Sequence, residues 1–594
     1  MRYKHFFGLA LAVISLAQIA TAQTTARLPK AFGPQFAHHA RTDELSRVYL
    51  TAQRIVWKSD TTGKWVRHAE RLLAPDNGQA DLSNNNLCEL KNDGPRQAGI
   101  LLDFGKELHG GIHLTTGMMS VHGPVRVHIR LGESASEAMS DLADTAHDAT
   151  NDHAMRDFVI SLPWLGSLEI GNSGFRFVRI DVVDPNAEVL LKNVSAIFVY
   201  RDIPYLGSFR CSDTLLNKIW MTGAYTVQLN MQDYLWDGIK RDRLVWMGDM
   251  GPEVATISNV FGYNNVVPKS LDLARDITPL PGWMNGISAY SMWWVLIQRN
   301  WYMANGNLSY LREQKHYLQG LLHLLISKIG PDGTEHLDGG RFLDWPTSDD
   351  PQAVHAGLQA LMVMTLQAGA SLCTVLDDPE TAKACLDGIQ KLKQAVPEMH
   401  GSKQAAALLS LAGLVDPKQA NQRVIEKGGA HHFSTFYGYY MLQAQALAGD
   451  YQDALNNIRT YWGAMLKLGA TTFWEDFNLD WVPGAAPIDE LVPPGKKDIH
   501  GDYGAYCYLG FRHSLCHGWA SGPTSWLTEH VLGIQVMEPG CRVIRVTPHL
   551  ADLEWAEGSF PTPYGEVTVK AKKLPNGKID LDVQAPKEVK IVKS

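Results

Sequence analysis

Residues 237–249 combine, within one short stretch, the side-chain types that acid–base chemistry on a sugar requires. Carboxylates accept hydrogen bonds from sugar hydroxyls and can act as general acids or bases. Indole faces stack on the apolar faces of sugars, and neighbouring cations keep some carboxylates ionised. The carboxylates are Asp237, Asp242 and Asp249, the cations are Lys240, Arg241 and Arg243, and the indoles are Trp236 and Trp246.

The alternative interpretation of this stretch is a solvated turn, because most runs of alternating charge are solvated surfaces. Here Trp236, Val245 and Trp246 lie among the charges, and a solvated turn does not need such large apolar side chains. The apolar residues of 215–235 have helical spacing, so the stretch is predicted to be a loop that leaves a helix.

Two further segments place an acid beside an indole. Glu475 directly follows Trp474, and such a carboxylate could act as a general base; the alternative is an acid at a helix end in water. Asp344 and Trp345 precede a predicted helix that Asp349 or Asp350 caps, so we interpret the first two as candidate sugar contacts.

His517 is a further candidate, because an imidazole can donate a hydrogen bond to a hydroxyl or a carboxylate. It lies next to Cys516, but two adjacent ligands do not make a zinc site, so no metal is predicted. No cofactor is predicted either, and a structural Ca²⁺ is left open. The sequence has no glycine-rich phosphate loop and no Gly-x-Ser-x-Gly elbow, which argues against nucleotide and serine-hydrolase chemistry.

The charge of the chain excludes one class of partner. The formal net charge is −8, and no basic block is visible. Nucleic acid is therefore not expected to bind.

Seven cysteines are scattered along a large chain, so a disulfide scaffold is not expected, although a bridge such as Cys507 with Cys516 remains open.

The first 22 residues have the pattern of a secretory signal peptide. Arg2 and Lys4 precede an apolar run at 6–20, and small residues at 20–22 form a cleavage site. The run is short for a membrane span, so we expect a secreted or periplasmic protein whose mature chain is not inserted in a membrane. An uncleaved N-terminal anchor is the alternative.

The length of 594 residues predicts several domains. Residues 23–205 show strand-like alternation, as at 125–131, and are predicted to form an N-terminal β-sandwich with a loop at 134–157. Residues 206–535 change to helical periodicity and are predicted to close into a ring of antiparallel helix pairs. Residues 536–594 return to strands and form a small C-terminal β domain. The predicted helices are 213–235, 268–277, 287–304, 309–328, 351–375, 379–396, 402–413, 417–427, 433–448, 451–467 and 523–532.

The order of these domains and five motifs resemble the α-L-rhamnosidases of glycoside hydrolase family 78. The resemblance covers nearly all of the chain after the signal peptide. It is most specific in the acidic stretch and in the Thr-Thr-Phe-Trp-Glu motif that ends at Glu475. The five motifs lie at 101–111, 237–249, 470–475, 517–526 and 548–565.

The resemblance implies an (α/α)6 barrel, flanked by an N-terminal β-sandwich and a small C-terminal β-sandwich, with the site in the barrel mouth. By position, Asp242 would be the general acid and Glu475 the general base, while Asp237 and Asp249 would bind rhamnose hydroxyls near His517. The further candidate substrate contacts are Arg241, Trp246, Asp344, Trp345 and Trp474.

The resemblance also implies an inverting reaction, in which the two carboxyl groups lie ~6.5–9.5 Å apart across the sugar. Arg241 and Arg243 are expected to pair with the outer acids Asp237 and Asp249, because Asp242 must carry a proton to act. Many family members have Arg-Asp-Glu-Arg where this chain has Arg-Asp-Arg at 241–243, with a glutamate as the acid. The shorter Asp242 implies a closer backbone, a weak enzyme or a divergent one.

The resemblance therefore predicts an exo-acting glycoside hydrolase that releases terminal α-L-rhamnose from a plant or algal glycoside or polysaccharide. Two other functions remain open at this point. Another exo-glycosidase could use the same barrel, and a non-catalytic sugar-binding protein could retain Asp237, Asp249 and the indoles. The sequence does not predict an oligomeric state or a specific substrate.

Overall fold

A computed structural model describes residues 28–593 of the chain, except 38–40, 42, 121–122 and 507. The predicted signal peptide and the Cys507 end of the suggested bridge lie outside the described residues, while Cys516 is a buried free thiol. The chain divides into two units, Met1–Leu45 and Ser46–Ser594. The first contains a short helix, α1, at Pro34–Ala37. The domains and the candidate site lie in the second.

The N-terminal domain is a nine-stranded antiparallel sheet of order β3-β4-β9-β5-β8-β6-β7, with β1 on β9 and β2 on β5. Strand β6 buries alternate residues from Val125 to Leu131 in the apolar core, as the predicted alternation requires. The segment predicted as a loop contains a short helix, α2, at Ala135–Met139. The strands are β1 Ser46–Thr51, β2 Arg54–Lys58, β3 Val66–Arg67, β4 Cys88–Lys91, β5 Gly99–Thr116, β6 Val125–Gly132, β7 Asp157–Leu162, β8 Gly166–Val182 and β9 Glu188–Tyr200.

The central domain consists of α-helices that alternate between an outer and an inner layer. The outer helices are α3 Thr214–Asn230, α5 Val266–Asp276, α7 Leu308–Ser327, α9 Pro379–Leu392, α11 Pro417–Ala420 and α13 Tyr451–Lys467. The inner helices are α4 Met250–Val260, α6 Ser288–Asn305, α8 Pro351–Val375, α10 Lys403–Leu411, α12 Gly438–Ala448 and α14 Gly522–Trp526. Short π-helical turns extend α11 and α14.

The inner helices contact one another in a closed ring, α4–α6–α8–α10–α12–α14 and back to α4. The described helices of this domain therefore form the (α/α)6 barrel that was predicted. Inner helices are apolar on most faces because they are covered on most sides. Helix α8 is long and apolar enough to cross a membrane by composition alone, and 72% of its apolar window is buried inside the protein.

One inner helix, α4, is absent from the helices predicted from sequence. It begins directly after the acidic stretch, and Gly251 and Pro252 stand in its first turn. Those two residues are strong turn signals, but proline fits the first helical turn because the N–H it lacks would have no partner there. The helix predicted to reach residue 235 ends at Asn230, so the acidic loop is longer than expected.

The C-terminal domain is a small two-sheet sandwich. One sheet has the order β10-β17-β18-β19, and the other has the order β15-β16-β20. Strand β10 precedes the barrel, so the chain reaches the helices only after contributing to this sheet. The strands are β10 Ser208–Cys211, β15 Ile534–Val536, β16 Val543–Val546, β17 Trp555–Thr562, β18 Gly565–Lys573, β19 Ile579–Gln584 and β20 Lys590–Lys593. Four two-residue strands lie between α13 and α14, β11 Ala485–Ala486, β12 Lys497–Asp498, β13 Gly504–Ala505 and β14 Tyr508–Leu509.

Candidate active site

The loops that precede the inner helices meet at one end of the barrel. The backbone N–H of Met247, before α4, donates to Asn285, before α6, at 3.0 Å. Asp344, before α8, accepts from Gln404 at the start of α10 at 3.0 Å and from Ser434, before α12, at 2.6 Å. The N-terminal ends of these helices therefore surround one mouth, where their partial positive charge favours carboxylates.

Asp242 and Glu475, the predicted acid and base, come together at this mouth through Arg241. Nη2 of Arg241 lies 3.4 Å from Oδ1 of Asp242 and 3.6 Å from Oε1 of Glu475. The two carboxylate oxygens are therefore at most about 7 Å apart, an upper bound that overlaps the ~6.5–9.5 Å spacing of inverting glycosidases. The side chains are 10% and 2% exposed, so both acids are largely shielded from water.

The expectation that the two arginines pair with the outer acids is wrong. Arg241 contacts Asp242 and Glu475, and its guanidinium lies over the ring of Tyr508 at 3.8 Å. Arg243 points the other way and donates to the backbone carbonyl of Asn172 in β8 at 2.8 Å. In an extended chain the side chains of residues 241 and 243 would share one side, but Arg243 has a left-handed backbone conformation with φ 62°, so the loop turns there and separates the two arginines.

Arg241 is a permanent cation in this position. Burial alone would lower the pKa of its guanidinium, but the carboxylates of Glu475 and Asp242 outweigh that effect and raise it. A guanidinium that is held face-on to an aromatic ring keeps a fixed orientation. Arg241 therefore sets the relative positions of the two acids.

Asp242 has three side-chain neighbours. Its Oδ2 accepts a hydrogen bond from Nε1 of Trp246 at 3.1 Å, and its Oδ1 lies near Arg241 and 3.1 Å from Nε2 of His153. His153 belongs to the N-terminal domain, in the segment between α2 and β7. Sequence reasoning did not single it out, because nothing local distinguishes one histidine in a polar loop.

Asp237 shapes the loop that carries Asp242. Its Oδ2 accepts from the backbone N–H of Asp242 at 2.9 Å, and its Oδ1 accepts from that of Leu244 at 3.0 Å. Burial raises the pKa of its carboxyl group to about 7. A structural contribution of Asp237 is therefore clear, and its predicted contact with a sugar stays a prediction.

Asp249 and His517 form a buried pair, with 2.9 Å between Oδ1 and Nε2. Burial alone would lower the pKa of His517, but the charges of Glu475 and Asp249 outweigh it and raise the value to about 9. His517 is therefore an imidazolium at neutral pH. Tyr290 contacts the same aspartate, with its hydroxyl 3.5 Å from Oδ2.

Glu475 lies in the segment between α13 and α14 and is held by hydrogen bonds. Its Oε2 accepts a hydrogen bond from the backbone N–H of Ser514 at 3.0 Å. Its backbone carbonyl accepts from the indole of Trp519 at 2.9 Å and from the hydroxyl of Thr435. Three residues from two segments thus fix this acid, and its Oε1 lies 3.6 Å from Arg241.

Aromatic side chains complete a closed circuit of contacts around the mouth. From Trp246, which bonds Asp242, the circuit runs through Tyr290, Phe342, Trp345 and Tyr508, with ring centroids 5.0–6.2 Å apart. Arg241 on Tyr508 closes it. Aromatic faces next to carboxylates are the surface that a sugar ring requires. Trp246 and Trp345 were predicted, whereas the tyrosines lacked a local sequence signal.

Two predicted substrate contacts, Asp344 and Trp474, are fully buried in the barrel. Asp344 accepts from Gln404 and Ser434, and also from Thr347 at 2.9 Å, so its carboxylate ties three loops together. Trp474 packs edge-on against Phe477 in the apolar core and is 1% exposed. Both side chains therefore have a structural role that the sequence did not indicate.

Lys240 anchors the acidic loop to the N-terminal domain. Its Nζ lies 2.9 Å from Glu133 and 3.2 Å from Glu137, and it donates to the carbonyls of Phe511 and His513 at 2.8 and 2.9 Å. Burial alone would lower the pKa of this lysine, but the two glutamates outweigh it and raise the value. The acidic loop is thereby fixed two residues before Asp242.

Two groups of described residues have the spacing of metal ligands. Glu133, Glu137 and His500 form one group, and Glu426, Asp450 and Asp453 form the other. In the first group, Glu133 and Glu137 already bind the ammonium of Lys240, which occupies the place that a metal ion would take. The second group lies where the extension of α11 ends and α13 begins, and Asp450 caps the latter helix by accepting from the backbone N–H of Asp453.

Two sequence families match this chain. The model of the bacterial α-L-rhamnosidase six-hairpin glycosidase domain matches residues 204–531, which is more than half of the chain. The chain belongs to the bacterial α-L-rhamnosidase family. The α-L-rhamnosidase C-terminal domain matches residues 533–592, the segment that forms the small sandwich.

A curated α-L-rhamnosidase of Alteromonas sp. (strain LOR) is 23% identical to this rhamnosidase-family chain over 462 residues, which are 70% of this chain and 47% of the relative. Another, from Formosa agariphila, is 23% identical over 456 residues, which are 70% of this chain and 46% of the relative. The chain thus spans about half the length of the curated relatives that it matches.

Solved rhamnosidase structures share the fold of this family member. The family 78 rhamnosidase of Bacillus sp. GL1 has a TM-score of 0.70 at 22% identity, over 86% of this chain and 55% of that one. The Klebsiella oxytoca rhamnosidase with rhamnose bound has a TM-score of 0.65 at 19% identity, over 82% of this chain and 96% of that one. At these identities the likeness is one of fold.

Proposed function

We propose that this protein is an exo-acting α-L-rhamnosidase that removes terminal rhamnose from a plant or algal glycoside or polysaccharide, with inversion at the anomeric carbon. Membership of the α-L-rhamnosidase family supports the sugar and the reaction. The observation that carries the proposal is the link from Asp242 through Arg241 to Glu475 at the barrel mouth. It puts two carboxyl groups and a fixed cation beside an aromatic wall.

In the proposed reaction, Asp242 protonates the glycosidic oxygen as the bond from the anomeric carbon to that oxygen breaks. Glu475 removes a proton from the water that attacks the opposite face of the sugar. Arg241 holds the two acids at a fixed separation, and Asp249 with His517 offers charged hydrogen-bonding groups for the sugar hydroxyls. Trp246 and Tyr290 supply apolar ring surface.

The first test is the release of a coloured phenol from aryl glycosides. We expect turnover of nitrophenyl α-L-rhamnoside and none of the matching glucoside, galactoside or mannoside. Turnover of another glycoside alone would assign a different exo-glycosidase to this barrel. Binding of rhamnose without any release would indicate a sugar-binding protein.

Asp242→Asn and Glu475→Gln test the assigned roles. Each variant keeps the size of the side chain but cannot exchange the proton, so we expect kcat to fall by about 10²–10⁴-fold. Asp480→Asn is the matched control, because Asp480 lies close to Glu475 in the chain but is exposed and pairs with His431. Near-native rates of either site variant, with unchanged thermal unfolding, would refute its role.

The stereochemical course is tested separately, because the bound of about 7 Å also admits the ~5–5.5 Å spacing of retaining enzymes. Proton NMR in the first minutes of hydrolysis distinguishes the two anomers of free rhamnose. We expect the β anomer to appear first from an α-linked substrate. Initial release of the α anomer would exclude inversion and leave the hydrolase assignment in place.

A further inference from the structure

The three side chains that touch the carboxyl group of Asp242 differ in what they can do with a proton. The indole N–H of Trp246 and the guanidinium of Arg241 are donors only. The imidazole nitrogen of His153 can donate or accept, depending on its protonation. Among these contacts, His153 is therefore the one group that can take a proton from Asp242 or return one to it.

His153 is also partly exposed, so it can connect Asp242 with solvent. Its side chain is 28% exposed, while that of Asp242 is 10% exposed and that of Arg241 is 3% exposed. Nε2 of His153 also lies 3.5 Å from Oδ2 of Asp152, which pairs with Arg512 at 3.0 Å. The charged groups that face the imidazole are thus Asp242 and Asp152, with Arg241 and Arg512 behind them.

We propose that His153 is a positioning and proton-sharing residue for Asp242, contributed to the active site by the N-terminal domain. The proposal rests on the proposed glycosidase function. The geometry that carries it is the 3.1 Å contact between Nε2 of His153 and Oδ1 of Asp242. The contact gives Asp242 a neighbour that can supply a proton to its carboxylate between turnovers.

The proton balance of one turnover is as follows. Asp242 transfers its proton to the leaving oxygen, which also takes the electron pair of the broken bond, and Asp242 becomes a carboxylate. Protonated His153 then returns a proton from Nε2 to Oδ1, and the neutral imidazole takes a proton from solvent. Glu475 has meanwhile accepted one proton from the attacking water, and releases it to solvent. One water is consumed, and no other reactant is needed.

The test compares rhamnosides whose leaving groups need protonation to different degrees. We expect His153→Ala to reduce kcat/KM for phenyl α-L-rhamnoside by about 10–100-fold, the effect of losing one hydrogen bond to a charged group. Dinitrophenyl α-L-rhamnoside, whose leaving group needs no acid, should lose much less. The alkaline limb of the pH–rate profile should also move to lower pH.

His153→Gln separates proton sharing from simple positioning, because its amide retains an N–H donor but does not titrate. We expect it to restore part of the rate at low pH and to keep the shifted alkaline limb. His147→Gln is the matched control: His147 lies in the same segment and pairs with Asp144 at 2.8 Å, away from Asp242. Its profile should equal that of the wild type.

Two results would overturn the inference while the proposed function stands. One is an equal loss on both substrates with an unchanged pH profile, which indicates a structural role. The other is no loss in His153→Ala. If the wild type hydrolyses no aryl rhamnoside, the proposed function itself fails, and this inference fails with it. Thermal unfolding of each variant shows whether the domain contact is intact.

Discussion

At the scale of single residues, the mouth of the barrel concentrates more buried acids than cations. Arg241 is the cation beside both Asp242 and Glu475, and His517 pairs with Asp249. An isolated charge is costly to bury, so each acid that stays ionised needs a cation or several donors. The same carboxylates raise the pKa of His517 to about 9, because they favour its charged form.

His517 should make the stability of the protein depend on pH. Its folded pKa of about 9 lies above the unfolded value of about 6.5. The folded state binds this proton more tightly, so the stabilisation is complete below about pH 6.5 and is lost as the pH rises through about 9. We expect the difference in free energy of unfolding between wild type and His517→Gln to shrink by about 3 kcal/mol over that range.

Urea denaturation at several pH values measures this difference. Asp237, whose pKa is raised to about 7, titrates in the same interval, and the charge of His517 lowers the pKa of that carboxyl group, so both proteins are compared in an Asp237→Asn background. The glutamine side chain of the variant keeps an amide donor toward Asp249 and fills most of the volume. A difference that is constant with pH would show that His517 does not carry the charge that its neighbours imply.

At the scale of elements, the acidic loop between α3 and α4 is fastened at both ends of its charged centre. Asp237 accepts the backbone N–H groups of Asp242 and Leu244, and Lys240 inserts its ammonium between Glu133 and Glu137. A loop of this length would otherwise be mobile, because it has no ladder of its own hydrogen bonds. The N-terminal domain therefore helps to hold the acidic loop in place.

Removing the ammonium of Lys240 should lower the stability of the protein. Lys240→Met leaves the buried Glu133 without its cation and leaves Glu137 only the guanidinium of Arg156, 3.9 Å away, so we expect a loss of about 3–5 kcal/mol in the free energy of unfolding. Adding Glu133→Gln should restore part of it, because one of the uncompensated charges is then removed. Chemical denaturation of the single and double variants measures both effects.

Lys269→Met is the control for that experiment. Lys269 is half-buried, donates to the carbonyl of Asp233 at 2.6 Å and lies over the ring of Tyr234. With no buried carboxylate as its partner in these contacts, its loss should cost at most about 1.5 kcal/mol. Equal losses at the two lysines would mean that the buried glutamates do not depend on Lys240.

At the scale of the whole molecule, the barrel is completed by its first and last helices. Helix α14 contacts α4 and also α3, so the final inner helix closes the ring onto the start of the domain. Gly223 in α3 makes this approach possible. A Cβ there would lie 2.2 Å from Oγ1 of Thr524 and 3.3 Å from the carbonyl oxygen of Ser521 in the closing segment.

Gly223→Ala should therefore disturb the contact between α3 and the closing segment and destabilise the barrel. The added methyl group overlaps a side chain that is itself hydrogen-bonded, to the carbonyl of Trp220 at 3.0 Å, so we expect a loss of about 1–3 kcal/mol. The midpoint of thermal unfolding should fall accordingly. Gly388→Ala in α9 is the control, because its nearest atoms are terminal methyl groups of Ile329 and Leu366 at 3.1 and 3.2 Å.

In the control, the higher helix propensity of alanine, worth up to about 1 kcal/mol, offsets the small displacement of those methyl groups. We therefore expect a change of less than about 1 kcal/mol. If Gly223→Ala is as well tolerated as Gly388→Ala, the close approach of α3 to the closing segment does not limit the stability of the barrel.

Most of the architecture was predictable because its signals are local. Apolar residues at helical spacing indicated most of the barrel helices, and alternation indicated strands such as β6. Helix α4 was missed because Gly251 and Pro252 indicate a turn as readily as the start of a helix. Helical periodicity already predicted a ring of antiparallel helix pairs, and the resemblance to a family, carried by a few motifs, specified it as an (α/α)6 barrel.

By itself the sequence determined which side chains are available for chemistry and on which kind of element each one lies. Tertiary structure alone decided which of them meet. Trp474 and Asp344 are turned into the core, while His153 and Tyr508 are brought to the mouth from distant segments. The reason is physical: periodicity and capping act over a few residues, whereas contacts between loops depend on how whole helices and domains pack.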